Sequence, residues 1–356
     1  MGAWAATGAV SLLAQTMVFE GGTHTYPGLT NITVVLTGRC ELRLTQAVQP
    51  LVGCTIRLDS PDAYLVFTSL RPSAVGPGML SQIRVGGAAA VVNTNCRVVA
   101  YGDGAVVVPH GAAFRPLEVF QGPHFTGIST SFTFYVRPAG VALGPFLAGI
   151  ESFRLKRGYA VTLAEREDGT GYSRNYVAAD GDVEMGVLPA ALSRNVRFLY
   201  VVPWRWTSKK GIAGDIEAGL NVGWKYNWNL NQNSTSDVEY VPIKQNRWWP
   251  SLAQDWRSRG SVHLLGYNEP DRPDQANLSV ADALAAWPEL LATGLRVGSP
   301  APSDGGRSSW LYPFLQQADA AGLRVDFVAV ALLLVLESGR PVRSGQPILQ
   351  LSQVHL

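Results

Sequence analysis

The sequence predicts a multidomain protein of the β plus α/β class, on three observations. Residues 1–115 are a succession of short β-branched runs with no helical spacing between them. Residues 116–195 stay strand-like but place aromatic rings ahead of glycine turns, and from residue 196 onward strand-like runs alternate with helix-like ones. At 356 residues and 38.3 kDa the chain is long enough for two or three domains with ordinary cores.

The first region carries "ITVVLTG", "CTIRLDS", "AYLVFTS", "SQIRVGG", "AAVVNTN", "CRVVAYG" and "GAVVVPH". Each run is closed by Gly, Asn, Ser or Pro, and strands this short that recur without helices point to a parallel β-solenoid ahead of a sandwich. The repeat is too loose to give a period. Cys40, Cys54 and Cys96 show no metal-ligand spacing and no CxxC, so they read as buried free thiols.

Composition narrows the function classes. Charged residues are 16% of the chain, the formal net charge is +2, and no run of Lys or Arg occurs, so a nucleic-acid partner is not expected. The 10 Trp, 12 Tyr and 12 Phe supply flat apolar rings that serve cores and ligand stacking alike. No apolar run reaches the ~18 residues of a membrane span. The N-terminus "MGAWAATGAVSLLA" has neither a positive n-region nor a cleavage site, so no signal peptide is read there. The sequons at Asn31, Asn233 and Asn277 arise often by chance and do not fix a compartment.

From Pro116, "LEVFQGPHFTGIST" places Phe120 before Phe125 and Gly127, and "YAVTLAEREDGTGYSRNY" places Tyr159 before Gly169 and Gly171. A ring followed by a tight glycine turn suits a hairpin folded over its own strand, because glycine takes positive φ at little cost. The segments "FQGPHFTG" and, more loosely, "IESFRLKRGYAVTLAEREDGTG" resemble the βγ-crystallin module, which implies a β-sandwich over residues 116–195. Some such modules bind calcium. The acidic positions here do not make a set of six or more oxygens, so a structural module without metal is expected.

Residues 196–356 alternate the strands "VRFLYVVPW", "NVGWKYNW", "VEYVPI", "VHLLGYNEP", "LRVGSPAP" and "VDFVAV" with "LAQDWRSRG", "SVADALAAWPELLATG" and "SSWLYPFLQQADAAG". The last two have helical apolar spacing, a Ser start and a Gly stop. Alternation of this kind implies a parallel sheet, open or closed into a barrel. Polar and aromatic residues gather at the strand ends, at Trp204, Trp206, Tyr226, Asn227, Trp228, Asn268 and Glu269. In a (β/α)8 TIM barrel those ends form the active-site face, which favours the barrel. Residues 196–356 fall short of the ~200 that a full barrel takes, so a partial barrel with six of its strands is expected.

The stretch "VHLLGYNEPDRPDQ" concentrates the chemistry. Val262, Leu264 and Leu265 build a buried strand, Asn268 and Glu269 follow at its mouth, and Pro270 ends the ladder by removing a donor. A carboxyl in a cleft walled by Tyr and Trp keeps its proton through desolvation, as a general acid at a glycosidic oxygen requires. A Glu that caps the next turn or pairs with Lys or Arg would give the same letters. His263 alternates with strand neighbours and reads as a packed or paired core residue.

The run "LLGYNEPDRPDQANLSVADALAAWPELL", then "LRVGSPAP", "WLYPFL" and "VDFVAV", resembles glycoside hydrolase family 128, the Asl1-like glycosyl hydrolase catalytic domain. "SKKGIAG" and "GWKYNWN" are similar to that family's first two strands. The resemblance implies a retaining β-1,3-glucanase that needs no cofactor. It implies Glu269 as acid/base and Asn268 as the partner that contacts the sugar beside the reactive carbon. Tyr226, Asn227, Trp228 and Tyr267 would line the glucan groove, and the setting would be extracellular or cell wall. After "VDFVAV" the chain departs from the family, which expects a His, aromatic residues and a nucleophilic Glu on the seventh strand. Glu337 comes too soon after the sixth strand to be given that role. The chain as written is therefore expected to be inactive or weakly active, and a non-catalytic β-glucan or cell-wall binding protein is the alternative.

Overall fold

A computed structural model describes residues 15–137, 146, 149–216, 220–332 and 348–352. It divides into two compact units. One comprises the chain up to Val98 with Asp103–Gly111, and the other comprises Val99–Gly102 with Ala112 onward.

In the first unit the chain visits three ladders in turn. Gln15–Phe19, Ile32–Leu36, Thr55–Leu58 and Ile83–Val85 follow one another in a sheet, each parallel to the next. Gly22–Tyr26, Cys40–Leu44 and Ala63–Phe67 form a second parallel run, and Leu29–Thr30 pairs with Leu51–Val52 in a third. The register stacks like on like: Met17, Val34, Ile56 and Ile83 make one column, and Tyr26, Leu44 and Phe67 another. Apolar side chains on one face of each ladder thus meet in a single core that also buries Cys40, Cys54 and Cys96. The partners in a column are unequally spaced along the chain, which is why no period can be read from the sequence. Gly104–Pro109 ends the run by pairing antiparallel with Ala63–Phe67.

The second unit begins with two antiparallel sheets. Ser129–Phe132, Leu117–Phe120, Ser152–Leu155 and Val183–Met185 make the first, and Ser173–Ala178, Tyr159–Ala164 and Phe198–Pro203 the second. Their inner faces share a core of Leu117, Val119, Phe153, Tyr159, Val161, Leu163, Leu199 and Val201. The aromatic and glycine signals are realised here. Phe120 and Phe125 meet edge to face at 5.6 Å, and Gly127 adopts φ 78°.

One strand differs from the sequence reading. Phe198–Pro203, expected to open the β/α alternation, instead pairs along its whole length with Tyr159–Ala164, antiparallel. All six of its residues are buried. Leu199 and Val201 face the core just described, while Phe198, Tyr200 and Val202 pack with Trp287, Leu290 and Phe314 of the helices beyond. A strand buried on both faces is a continuous apolar run whichever sheet it joins, so pattern alone does not assign it.

The parallel series starts at Gly211–Ala213 and continues through Trp224–Tyr226 and Glu239–Tyr240. A parallel bridge from Ile243 to Leu265 carries it to His263–Leu264, which pairs with Arg296–Val297, and a bridge from Gly298 to Phe327 adds the segment before Val328–Leu332. Room for the enclosed rings comes from glycine. A Cβ on Gly211 would lie 1.9 Å from the Trp224 ring, and one on Gly298 would lie 2.3 Å from that of Phe327. The helix Val280–Leu291 starts where expected, with the Ser279 hydroxyl accepting from the Asp282 amide at 3.1 Å. The helix Tyr312–Ala320 ends before Gly322, whose φ is 66°. Ile348–Ser352 runs antiparallel to Val328–Leu332, and Glu337 lies outside the described residues. Among the described residues no helix is long and apolar enough to cross a membrane.

Candidate active site

Glu269 lies just past His263–Leu264, where the chain is bonded to Gln245 on one side and Ala301 on the other. Its backbone amide donates to Ala301 O at 2.8 Å, and its carbonyl accepts from the Arg272 amide at 3.1 Å. These bonds hold it at φ 39°, a left-handed conformation that costs a side-chain-bearing residue about 1–3 kcal/mol. The strand therefore turns sharply at this residue, and Pro270 stops the ladder behind it. The side chain is 30% exposed. Burial raises its carboxyl above the ordinary range. Arg272 opposes this from 3.7 Å, while Asp271, Asp274 and Asp304 reinforce it. Arg272 is itself held by a two-pronged contact to Asp274, at 3.1 and 3.2 Å, so it is shared rather than dedicated to Glu269. Asp271 is engaged by Ser303, whose amide donates to it at 2.8 Å.

Asn268 is half-buried beside the carboxyl. Its amide donates to Gln245 O at 3.1 Å, and its Nδ2 donates to Gln275 Oε1 at 2.9 Å, which fixes the side-chain orientation. Trp228 and Asn227 follow the Trp224–Tyr226 strand, both half-buried, with Trp228 at φ 57°. Asn227 Nδ2 donates to Asn231 Oδ1 at 2.8 Å. Tyr226 is 1% exposed and meets the Trp228 ring edge to face at 5.1 Å, so it supports the tryptophan from below rather than offering a face of its own. Burial, and then the charge of Glu269, push its phenol up, which places Tyr226 and Glu269 in one electrostatic environment.

Tyr267 corrects the sequence reading. Expected to line the groove, it is fully buried and meets Trp287 of the Val280–Leu291 helix edge to face at 6.0 Å. Position 267 falls on the helix-facing side of the strand.

The sequence reading also missed what Glu239 does. Its carboxylate is buried and accepts from the Val262 amide at 2.7 Å, the His263 amide at 3.0 Å and the Thr207 hydroxyl at 2.6 Å. Its other contact is with His263 Nδ1 at 2.9 Å. Burial alone would raise this carboxyl. The contact with His263, with Arg205 and Thr207, outweighs burial and lowers it to about 2. His263 is thereby a paired core residue, enclosed by the rings of Trp204 and Phe327.

The glycosyl hydrolase catalytic core is the family whose model matches this chain, over residues 202–334, a span that contains every residue of the site. Among solved structures, a family 128 subgroup I endo-β-1,3-glucanase of Amycolatopsis mediterranei, crystallised with laminaripentaose, is 34% identical over 33% of this chain and 54% of its own, with a TM-score of 0.29. The same glucanase with laminaritriose gives 33% identity, 34% and 56% coverage, and a TM-score of 0.29. The chain thus spans about half the length of those glucanases. A βγ-crystallin domain of Flavobacterium johnsoniae is 20% identical over 25% of this chain and 94% of its own, with a TM-score of 0.22. No curated protein matches. The resemblance to glycosyl hydrolases, read from the motifs, is found again in the family model.

Proposed function

We propose that residues 202–334 form the site of a retaining β-1,3-glucanase-type glycoside hydrolase, with Glu269 as acid/base. One observation carries this reading. Glu269 stands at the end of a parallel strand, inside the matched catalytic core, in a strained backbone conformation and with a carboxyl raised by burial. Desolvation and backbone strain both cost stability, and both are concentrated where a carboxylic acid must keep its proton. In this reading Glu269 protonates the departing glycosidic oxygen and later takes a proton from the attacking water. Asn268, locked by Gln275, contacts the sugar beside the reactive carbon. Trp228 stacks on a sugar face with Tyr226 beneath it, and Asn227 offers its amide at the rim. The parallel strands from Gly211 support reading this region as part of a (β/α)8 barrel, and the in-register ladders from Gln15 support reading the first unit as a β-solenoid.

Retention also needs a second carboxylate about 5–5.5 Å from the first, to attack the anomeric carbon. Asp271 and Asp274 are engaged by Ser303 and Arg272, and among the described residues none is assigned the nucleophile's role. In this reading residues 202–334 bind β-1,3-glucan, and turnover depends on a second carboxylate acting with Glu269. Reducing-sugar release from laminarin, measured beside Trp fluorescence titration with laminari-oligosaccharides, tests both halves. Quenching by the oligosaccharides that weakens about tenfold in Trp228→Ala is expected. Equal responses to cello- and laminari-oligosaccharides would remove the substrate assignment, and robust turnover abolished in Glu269→Gln would show that a nucleophile is present.

A further inference from the structure

We propose that Trp248 and Trp249 form a second sugar-stacking platform beside the Glu269 cleft, so that a neutral β-glucan chain is held beyond the residues that meet the acid. The proposal rests on the reading of the cleft as a glucan site. Backbone pairing places the two rings. The amide of Lys244 donates to Leu265 O at 3.1 Å, and that of Asn268 donates to Gln245 O at 3.1 Å, so residues 244–245 run alongside the strand that ends in Glu269. The turn carrying both tryptophans leaves the fold at that same end.

The rings are bare to an unusual degree. Trp248 is 80% exposed and Trp249 is 44% exposed, although tryptophan is among the most thoroughly buried residue types on average. The turn beneath them is nonetheless firmly held. Asn246 Oδ1 accepts from the amides of both Trp248 and Trp249 at 2.9 Å, and the Asn246 amide donates to Trp249 O at 3.0 Å. Lys244 is 2% exposed, and its Nζ donates to Pro250 O at 3.1 Å and to Glu289 at 2.8 Å. Arg247 lies 5.1 Å from the centroid of the Trp248 ring and 3.6 Å from Asp282. Asp282 and Glu289 are seven residues apart on the Val280–Leu291 helix and so share one of its faces. A buried ammonium is costly, and an ordinary surface turn does not need one. Here it fixes the backbone on which two exposed indoles stand, as a platform for a ligand requires.

The ligand class follows from the surface. The rings present apolar faces, and the charges of Arg247 and Lys244 are already matched by Asp282 and Glu289, so an anionic polymer finds no free cation at this turn. A sugar ring has an apolar C–H face that fits an indole, and a neutral glucan leaving the Glu269 cleft would pass over this turn.

The test uses the full chain and its Trp248→Ala and Trp249→Ala variants, titrated calorimetrically with a short and a long laminari-oligosaccharide and with cello-oligosaccharides of matched length. Trp248 is mostly in solvent, so folding should be retained, which circular dichroism checks. The expected result is about tenfold weaker binding of the long β-1,3 oligosaccharide with the short one unaffected. Asn246→Ala, which touches no sugar, should weaken the long ligand to a lesser degree by loosening the turn. Unchanged affinity in both Trp variants, with the parent protein binding, would overturn the platform and leave the cleft reading standing. Loss of cello-oligosaccharide binding in Trp248→Ala, with no laminari-oligosaccharide binding by the parent, would keep the platform and remove the β-1,3 assignment. A parent that binds no glucan overturns both, and self-association abolished by Trp248→Ala, without a change in glucan binding, would make the pair a protein contact instead.

Discussion

Replacing Glu239 with Gln isolates the electrostatics of the buried pair beneath the cleft. The carboxylate receives three hydrogen bonds from Val262, His263 and Thr207 besides its contact with His263 Nδ1, and is held near 2 against an ordinary 4.5. A carboxyl lowered in this way stabilises the fold while it is ionised. Because the folded value lies below the unfolded one, this contribution is complete above the unfolded value and is lost as pH falls through the window between 4.5 and about 2. Gln keeps the shape and can still accept from the Val262 and His263 amides, but it presents an amide nitrogen to His263 or Thr207 and carries no charge. Glu239→Gln should therefore cost about 1–3 kcal/mol at pH 7. The gap from the parent should close steadily as pH is lowered toward 3. Urea unfolding followed by Trp fluorescence across pH 3–8 measures it. A gap that is the same at every pH, or no loss at pH 7, would refute the claim that an ionised Glu239 holds this part of the core together.

The remaining predictions address the neighbours of that core. Glu269→Gln should raise the thermal midpoint at pH 7, because a carboxyl raised by burial disfavours folding once it ionises, and the gain should shrink as pH falls toward 4. A lower midpoint in that variant at pH 7 would mean that the carboxylate is stabilised where it sits. Arg324 is 4% exposed, pairs with Asp326 and donates from Nε to Ser173 Oγ at 3.2 Å, which ties the Ser173–Ala178 strand to the segment that precedes Val328–Leu332. Arg324→Met should cost about 3–5 kcal/mol by leaving the Asp326 carboxylate, which keeps the Val297 amide at 2.7 Å, without its paired guanidinium, and Arg324→Met with Asp326→Leu should recover part of the loss in the same unfolding assay.

The pattern of residues made most of the second unit legible. Ser279 and Gly294 bracket the helix expected between them, and Glu269 stands at a strand mouth because the apolar run before it and Pro270 after it leave it nowhere else to be. Other features needed three dimensions. Phe198–Pro203 is apolar on both faces, so the letters could not say that its neighbour is Tyr159–Ala164 rather than a parallel strand. The family resemblance implies Tyr267 in the groove, whereas it is buried and packs on Trp287, a placement that depends on the folded strand. Trp248 and Trp249 carried a signal in the adjacent rings of "RWWP", but exposure is a property of the folded surface and a single sequence does not display it. The pairing of Glu239 with His263 joins residues on adjacent strands that no short motif connects.

The central claim is that the Glu269 carboxyl is a proton-holding acid facing a glucan cleft, and a carbon-13 NMR titration of that carboxyl tests it most directly. Glu269→Gln identifies the resonance by its disappearance. The account predicts a midpoint above the ordinary 4.5 that moves further when laminari-oligosaccharide is added and water is displaced from the cleft. A midpoint at or below 4.5 that ignores the sugar would contradict it, and Glu269 would then be a turn residue paired with Arg272.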